Sequence, residues 1–507
     1  MYAMIRVMIE KFDDTINNDV EFTEALLMQE SVFVLPGKCF GVDNFVRVVL
    51  CIPIEKLRMA CTRIRRFCSA HLNAVQDTDG VPLPRSSGPA KTLLLDRSGR
   101  VSKLHHPLTW HVPRSTVSTR TRDPARQIVS SIRKPTSAES RGMELVPLSL
   151  GDPTIFKNMP ICDTMIRTLH ANIDSHDCDG YTHSCGIPSA RKAIAKRYTL
   201  PISPVTMDDV IITSGCSGAL NLAISAMIDE GDNVLLPCPG FALYNTIVRS
   251  RGGECRGYNL VAERGWECDL EHMESQIDSR TRCILINNPS NPCGSVFSLA
   301  HLQDIVTLAE RHCLPIIADE IYGGIVFGGE EMHPLAAVSA NVPIVTCGGI
   351  AKEFLVPGWR LGWIVVHDRN GILADCKAGM QRLATLTLGA NTLVQSVLPA
   401  ILTPGPGSED ALSLAAFHED TSSILQANAE FLCAELADNP CLEVIAPAGG
   451  AYPIVGTVCA ALHAHLIPPY RERGGAGAHC PFPTLRLCPS FLPSFLPSFP
   501  HPQRCTL

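Results

Sequence analysis

Several signals that commonly reveal function are missing from this chain of 507 residues. None of its 22 cysteines forms a C-x-x-C pair, so the sequence indicates neither a zinc site nor a thioredoxin-like motif, and we expect no metal. No uninterrupted apolar run reaches the length of a membrane span, and prolines break the tail at 481–500. The net charge is only −7, without the basic stripe of a nucleic-acid binder. In the absence of a secretory leader we expect reduced thiols and a cytoplasmic protein, with a mitochondrial location as the alternative.

The chain does have an ordinary globular composition, 46% hydrophobic and 18% charged, and it alternates strands with helices. Leu302, Ile305, Val306 and Ala309 form an apolar helical stripe that Ser298 could cap. Near-continuous apolar strands between helices predict an α/β fold, in which a mainly parallel sheet is covered on both faces, with ligands beyond the carboxyl ends of the strands. The β-rich runs occur at 210–213, 233–236, 283–286, 314–318 and 344–347.

The stretch TCGGIAKEFLVPGWRLGWIVV at 346–366 combines features that suit a phosphorylated carbonyl compound. Lys352 follows Gly348-Gly349, a backbone-permissive pair that we interpret as a turn open to close approach of a ligand. A desolvated lysine can form a Schiff base, and Arg360 presents a planar fork suited to phosphate. These residues indicate pyridoxal 5′-phosphate (PLP). The alternative is a solvated lysine on a surface turn.

Further motifs lie at the ends of predicted strands. TSGCSGA at 213–219 opens a helix whose free N–H groups and dipole would attract an anion, although it could be a simple capped turn. PGFALY at 239–244 and NNPSNPCG at 287–294 follow the next two strands. ADEIY at 318–322 ends a fourth strand, where an acidic pair could alternatively cap the following helix.

In this order the motifs resemble those of class I and II aminotransferases of fold type I, and most of all the tyrosine aminotransferase subfamily. The subfamily likeness rests on GGIAKEFLVPGWRLGW and NNPSNPCGSVF. The resemblance implies a three-layer α/β/α PLP-binding domain with a smaller α+β domain. It implies catalytic roles for Lys352, Asp319 and Tyr322. The cofactor-binding residues that it implies are Gly215, Cys216, Ser217, Phe241, Asn291, Asp319, Tyr322, Lys352, Arg360 and Tyr181.

The same resemblance implies how these residues act. Lys352 would carry PLP and move the substrate Cα proton, while Asp319 would keep the ring nitrogen protonated. Tyr181 would reach the phosphate of a neighbouring subunit, which implies a homodimer. Arg47, in NFVRVV, would clamp the substrate carboxylate, although a strand arginine otherwise extends to solvent. The implied substrate-binding residues are Arg47, Gly151 and Asn291.

The segments stand in an unusual order, because residues 1–72 resemble the C-terminal end of the family's small domain. The repeat of MYAMI at 1–5 as AYPIV at 451–455 marks where the family pattern stops. We hypothesise that the sequence fuses the end of one gene copy to most of the next, with a circular permutant as the alternative. The remaining predicted boundaries are a linker at 73–109, an N-terminal arm at 110–150, the large domain at 151–400, a truncated small-domain segment at 401–455 and a low-complexity tail at 456–507.

The implied function is PLP-dependent transamination of an L-amino acid, tyrosine or another aromatic one, with a 2-oxo acid as acceptor. The alternatives are an aminotransferase of other specificity such as alanine, a carbon–sulfur lyase, or a non-catalytic PLP-binding remnant. The last is an alternative because Arg47 lies on the other side of the cofactor domain in chain order. The expected partners are small substrates and a second copy of the chain, with neither nucleic acid nor a membrane.

Overall fold

The computed structural model describes residues 1–72 and 114–447, apart from positions 123, 134, 136–141, 150 and 340. The chain divides into two compact units, Met1–Ala451 and Tyr452–Leu507, and the second lies outside the described residues. The predicted linker at 73–109, the repeat at 451–455 and the tail at 456–507 lie outside them as well. The domain boundaries given above therefore stay predictions.

The strands of the described residues, in chain order, are β1 (Tyr2–Val7), β2 (Val32–Phe33), β3 (Leu35–Pro36), β4 (Phe45–Val49), β5 (Val146–Pro147), β6 (Val210–Thr213), β7 (Asn233–Cys238), β8 (Glu254–Val261), β9 (Glu267–Cys268), β10 (Thr281–Asn287), β11 (Ile316–Asp319), β12 (Ile344–Gly349), β13 (Gly362–His367) and β14 (Leu442–Ile445).

The α-helices are α1 (Asp19–Glu30), α2 (Ile54–Ala70), α3 (Thr116–Arg120), α4 (Pro124–Ser131), α5 (Asp163–Ser175), α6 (Pro188–Tyr198), α7 (Gly215–Met227), α8 (Ala242–Ser250), α9 (Leu270–Ser275), α10 (Leu299–Arg311), α11 (Leu335–Val338), α12 (Ile350–Glu353), α13 (Ala374–Ala384), α14 (Thr392–Gln395), α15 (Leu398–Leu402) and α16 (Glu409–Leu436). Within the part of the chain that is described, no helix is both long and apolar enough to cross a membrane.

The central sheet has eight strands in the order β6-β13-β12-β11-β10-β7-β8-β9. Its core is parallel, from β12 through β11, β10 and β7 to β8. β13 runs antiparallel to both β12 and β6, and β9 runs antiparallel to β8. The expected mainly parallel α/β sheet is thus confirmed, with three antiparallel pairings that the apolar pattern of the strands does not encode.

Alternate residues of the central strands enter two separate apolar cores, because side chains of a strand alternate between its faces. Leu235, Ile284, Ile316 and Ile344 pack in the core that contains α10. Val234, Leu285, Ile317 and Val345 pack in the core that contains α7. Helices therefore cover both faces, which confirms the three-layer arrangement.

The predicted elements agree closely with the observed ones. β6 has the predicted bounds, and β12 extends the predicted run at 344–347 by two residues. The side chain of Ser298 accepts a hydrogen bond from the backbone N–H of His301 and so caps α10 as predicted. The predicted stripe on α10 is buried.

A second, antiparallel sheet has the order β14-β1-β4-β3. Residues 1–72 supply three of its strands, and β14 comes from the other end of the described chain. The side-chain amide of Asn428, on α16, donates to the carbonyl oxygens of Leu50 (2.7 Å) and Ile52 (2.6 Å). The first 72 residues are therefore joined to the body by strand pairing and by buried hydrogen bonds.

Candidate active site

The motifs meet at one edge of the central sheet, where the parallel strands β10, β11 and β12 end. Asn287 is paired in register with Asp319, and Asp319 with Cys347. Lys352 follows on α12, directly after β12. The carboxyl edge of a parallel sheet is where ligands bind in folds of this kind. The structure therefore brings the lysine and aspartate motifs together as the strand pattern predicts.

Lys352 is half-buried, and its Nζ donates a hydrogen bond to the carbonyl oxygen of Gly151 at 2.8 Å. The preceding glycines are the last two residues of β12, so they do not form the turn that the sequence suggested. A Cβ on Gly348 would lie 2.7 Å from Nε1 of Trp363, and one on Gly349 would lie 2.8 Å from the carbonyl oxygen of Leu361. The glycine pair thus allows the neighbouring strand to pack closely behind the lysine.

Asp319 is buried at the end of β11 and has two side-chain donors. The hydroxyl of Tyr244 donates to its Oδ2 at 2.6 Å, and the thiol of Cys216 donates to its Oδ1 at 3.5 Å. Burial raises the pKa of Asp319 in spite of these hydrogen bonds. A cationic group beside this carboxyl would offset the cost of ionising it.

The predicted anion corner, formed by Gly215, Cys216 and Ser217, lies at the beginning of α7. No side chain caps this helix, so its first N–H groups are available. Arg360 Nη2 donates to the hydroxyl of Ser217 at 2.9 Å. A Cβ on Gly215 would lie 2.6 Å from that same nitrogen. A guanidinium, a hydroxyl and a helix N-terminus therefore converge at one place.

Arg47, on β4, is buried but interacts with neutral groups. Its Nη1 donates to Oδ1 of Asn291 at 2.9 Å, and its Nη2 donates to the carbonyl oxygen of Ser149 at 2.6 Å. Its Nε is buried and lacks a hydrogen-bond partner among the described residues. No carboxylate of residues 1–72 or of the described part of 114–447 forms an ion pair with it. A buried, uncompensated guanidinium of this kind favours an incoming carboxylate.

Three other predicted site residues, Tyr322, Phe241 and Tyr181, differ in how far they are buried. Tyr322 is buried, and its hydroxyl is 3.3 Å from that of Tyr2. Burial and this neighbouring hydroxyl raise its pKa. Phe241 is half-buried at the beginning of α8, with its ring centre 5.7 Å from that of Tyr244. Tyr181 is 95% exposed, and among the described residues it takes part in no hydrogen bond.

Sequence reasoning missed Tyr244, Tyr2 and the carbonyl of Ser149. Tyr244 stands three residues after Phe241 on the same helix, a spacing that could have drawn attention to it. Tyr2 carries no local signal, because its partner Tyr322 is 320 residues away. Both tyrosines donate to or share hydrogen bonds with predicted site residues.

Taken together, the site offers an amine, a buried carboxyl, an anion corner and a guanidinium along one edge of the sheet. An amine at such a position can attack a carbonyl and can move a proton. The guanidinium of Arg47 and the anion corner at the beginning of α7 can hold two separate negative groups. This combination suits amino-acid chemistry on a phosphorylated carbonyl compound.

The chain belongs to the aminotransferase class I and II family, whose model matches residues 143–466. It is 43% identical to the tyrosine aminotransferase of Mus musculus over 349 residues, which cover 68% of this chain and 74% of that protein.

Two solved structures extend the comparison. The tyrosine aminotransferase of Leishmania infantum superimposes with a TM-score of 0.56 at 32% identity and covers 63% of this chain and 82% of its own. An alanine aminotransferase from Pyrococcus furiosus gives a TM-score of 0.58 at 27% identity and covers 64% of this chain and 79% of its own. The fold predicted from the sequence is thereby confirmed.

Proposed function

We propose that this protein transfers the amino group of an aromatic L-amino acid, tyrosine above all, to a 2-oxo acid with the help of PLP. The observation that carries the proposal is the placement of Lys352 and Asp319 at one sheet edge, to which Arg47 is joined by its hydrogen bond to Asn291. The relatives named above as tyrosine aminotransferases support the choice of substrate. PLP supplies an electron sink that stabilises negative charge at the substrate Cα.

The residues present fit PLP. The N–H groups at the beginning of α7, with Ser217 and Arg360, would hold its phosphate. Asp319 would pair with the ring nitrogen, which explains why a carboxyl with a burial-raised pKa stands at the strand end. The groups that would contact the ring and its oxygen are Phe241, Asn291 and Tyr322.

Lys352 is the group placed to move the proton. Its only side-chain hydrogen bond among the described residues goes to a neutral carbonyl oxygen, that of Gly151, so no carboxylate holds the amine. The lysine stem has several rotatable bonds, so the amine can swing away from Gly151 toward a bound substrate. A lysine so placed accepts the Cα proton and returns it to another atom, as a general base and then an acid.

Arg47 is the group placed to orient the substrate. Its two terminal nitrogens already bind Asn291 and Ser149, and its charge lacks a carboxylate among the described residues. A substrate carboxylate would supply the missing charge in a bidentate arrangement. Orienting the amino acid in this way presents its amino group and Cα to Lys352.

The substrate is tested with a panel of amino donors and the PLP-reconstituted protein. We expect tyrosine and phenylalanine to exceed alanine in kcat/KM by about tenfold or more, because even one additional methylene in an apolar pocket is worth about 1–3 kcal/mol of discrimination. Initial rates with a common 2-oxo acid acceptor measure this. A higher kcat/KM for alanine than for both aromatic donors would contradict the aromatic specificity but not the transamination. Absence of turnover with every donor would contradict the proposed reaction itself.

We also infer that the protein acts as a homodimer in which Tyr181 reaches the phosphate corner of the other subunit. The inference is supported by the exposure of Tyr181 beside a surface cavity of about 430 Å³ between segments 178–182 and 387–393. Leu388, on the rim of this cavity, is also exposed. A tyrosine and a leucine exposed together beside a concave surface favour association.

Leu388→Glu should convert the dimer to a monomer and weaken PLP binding, since a charge would be buried at the interface. The matched control is Leu412→Glu, because Leu412 is 67% exposed against 62% for Leu388 and does not line the cavity. Sedimentation velocity measures the mass and a spectral titration the PLP affinity. A wild-type monomer, or a dimer that survives the Leu388 change, would contradict the proposal.

A further inference from the structure

Tyr2, on β1, lies between site groups that come from distant parts of the chain. Its ring faces the guanidinium of Arg47, with 4.3 Å from Cζ to the ring centre. Its hydroxyl is 3.3 Å from the hydroxyl of Tyr322, and either can donate. The residue is only 4% exposed, so these contacts lie in the interior of the protein.

Two glycines next to Tyr2 make room for it because they carry no Cβ. A Cβ on Gly151 would lie 2.2 Å from the Tyr2 hydroxyl oxygen, and a Cβ on Gly294 would lie 2.3 Å from the Tyr2 carbonyl oxygen. Gly151 also accepts the hydrogen bond of Lys352. The position of Tyr2 therefore depends on two glycines, one of which contacts the lysine directly.

We propose that Tyr2 is a positioning residue with two separable functions. Its ring holds Arg47 in the orientation that receives the substrate carboxylate, and its hydroxyl supports Tyr322. The inference rests on the proposed function, because it takes Tyr322 to donate to the ring oxygen of PLP. When Tyr322 donates its own proton there, its oxygen is free to accept from Tyr2, which makes Tyr322 the stronger donor.

Tyr2→Phe removes the hydroxyl and keeps the ring. The visible absorbance of bound PLP changes with its protonation. In the PLP-loaded Tyr2→Phe protein, we expect the pH midpoint of this change to rise by about 0.5 unit, because a weaker hydrogen bond from Tyr322 stabilises the deprotonated form of the bound cofactor less. The Kd of 3-phenylpropionate, which has the carboxylate of a substrate but no amine, should change by less than about twofold. An unchanged midpoint would overturn the function of the hydroxyl.

Tyr2→Leu removes the ring as well. The Kd of 3-phenylpropionate should rise about five- to tenfold, since a desolvated cation–π contact with Arg47 is lost, and the midpoint should rise as it does in Tyr2→Phe. Phe40→Leu is the matched comparison, because the Phe40 ring also lies by Arg47, at 4.8 Å from its Cζ. It should weaken 3-phenylpropionate without moving the midpoint. Should Tyr2→Leu precipitate, Tyr2→Met gives the same measurement.

The outcomes separate this inference from the proposed function. A wild-type protein that binds PLP and transaminates, with an unchanged Kd in Tyr2→Leu, overturns the function of the ring. A lower Kd of 3-phenylpropionate in Tyr2→Phe than in Tyr2→Leu, at an equal pH midpoint, supports the function of the ring. Loss of folding alone would instead change the Kd and the midpoint together. A wild-type protein that shows no visible band after reconstitution overturns the proposed function, and the assignment of Tyr2 with it.

Discussion

The Lys352→Ala protein should lose transamination by about 10⁴-fold, because general acid–base transfer by a positioned side chain contributes up to that factor. Lys352 is the amine at the carboxyl edge of the parallel strands, half-buried and hydrogen-bonded to Gly151. Alanine offers neither an amine to react with a carbonyl nor a group that can accept the Cα proton. The phosphate corner at Ser217 and Arg360 is untouched, so PLP should still bind without a covalent link.

The measurement is borohydride reduction of the PLP-loaded protein followed by peptide mass spectrometry. Wild type should carry the cofactor mass on the peptide that contains Lys352, and the variant should carry none. Lys377→Ala is a suitable control, because Lys377 is a partly buried lysine whose Nζ pairs with Asp209 at 2.8 Å. A reduced adduct on a lysine other than Lys352 in wild type would refute the assignment.

The core of the fold could be predicted because the central strands are buried on both faces. Runs such as Val210–Thr213 and Ile344–Gly349 are nearly continuous in apolar and small residues, as is typical of strands in a sheet covered on both faces. The position of Asp319 at the end of β11 follows from the same pattern, as does that of Lys352 after β12. Strand ends determine which motifs share an edge of the sheet, so the proximity of Asp319 and Lys352 could be predicted from the sequence.

The direction of β13 was not predictable, since an apolar run reads the same in parallel and antiparallel pairing. The surroundings of Asp319 were not predictable either, because the hydroxyl of Tyr244 comes from α8, which follows β7, two strands away from β11 in the sheet. Arg47 and Asn291, 244 residues apart, meet only through the packing of the second sheet on the body. Contacts of this separation depend on tertiary packing, which local patterns do not contain.

Asp319→Asn should lower the rate of transamination about a hundredfold or more, corresponding to a loss of roughly 3 kcal/mol in the barrier. The amide cannot keep the ring nitrogen of PLP protonated, so the electron sink weakens at the step in which the Cα proton leaves. PLP affinity should fall much less, because Ser217 and Arg360 still hold the phosphate. Single-turnover rates and a spectral titration separate the two effects, and an unchanged rate would refute the assignment of Asp319.

Thermal melting of the PLP-free protein shows whether Asp319→Asn loses activity through its effect on catalysis or through damage to the fold. Burial raises the pKa of Asp319 above its unfolded value, so ionising it in the folded state costs free energy. That cost is absent below the unfolded pKa, where both states are protonated, and it is complete above the folded pKa. The amide never ionises, so Asp319→Asn should equal wild type in melting temperature at low pH and exceed it as pH rises through this range. A variant that loses activity and also melts earlier at neutral pH would instead indicate damage to the fold.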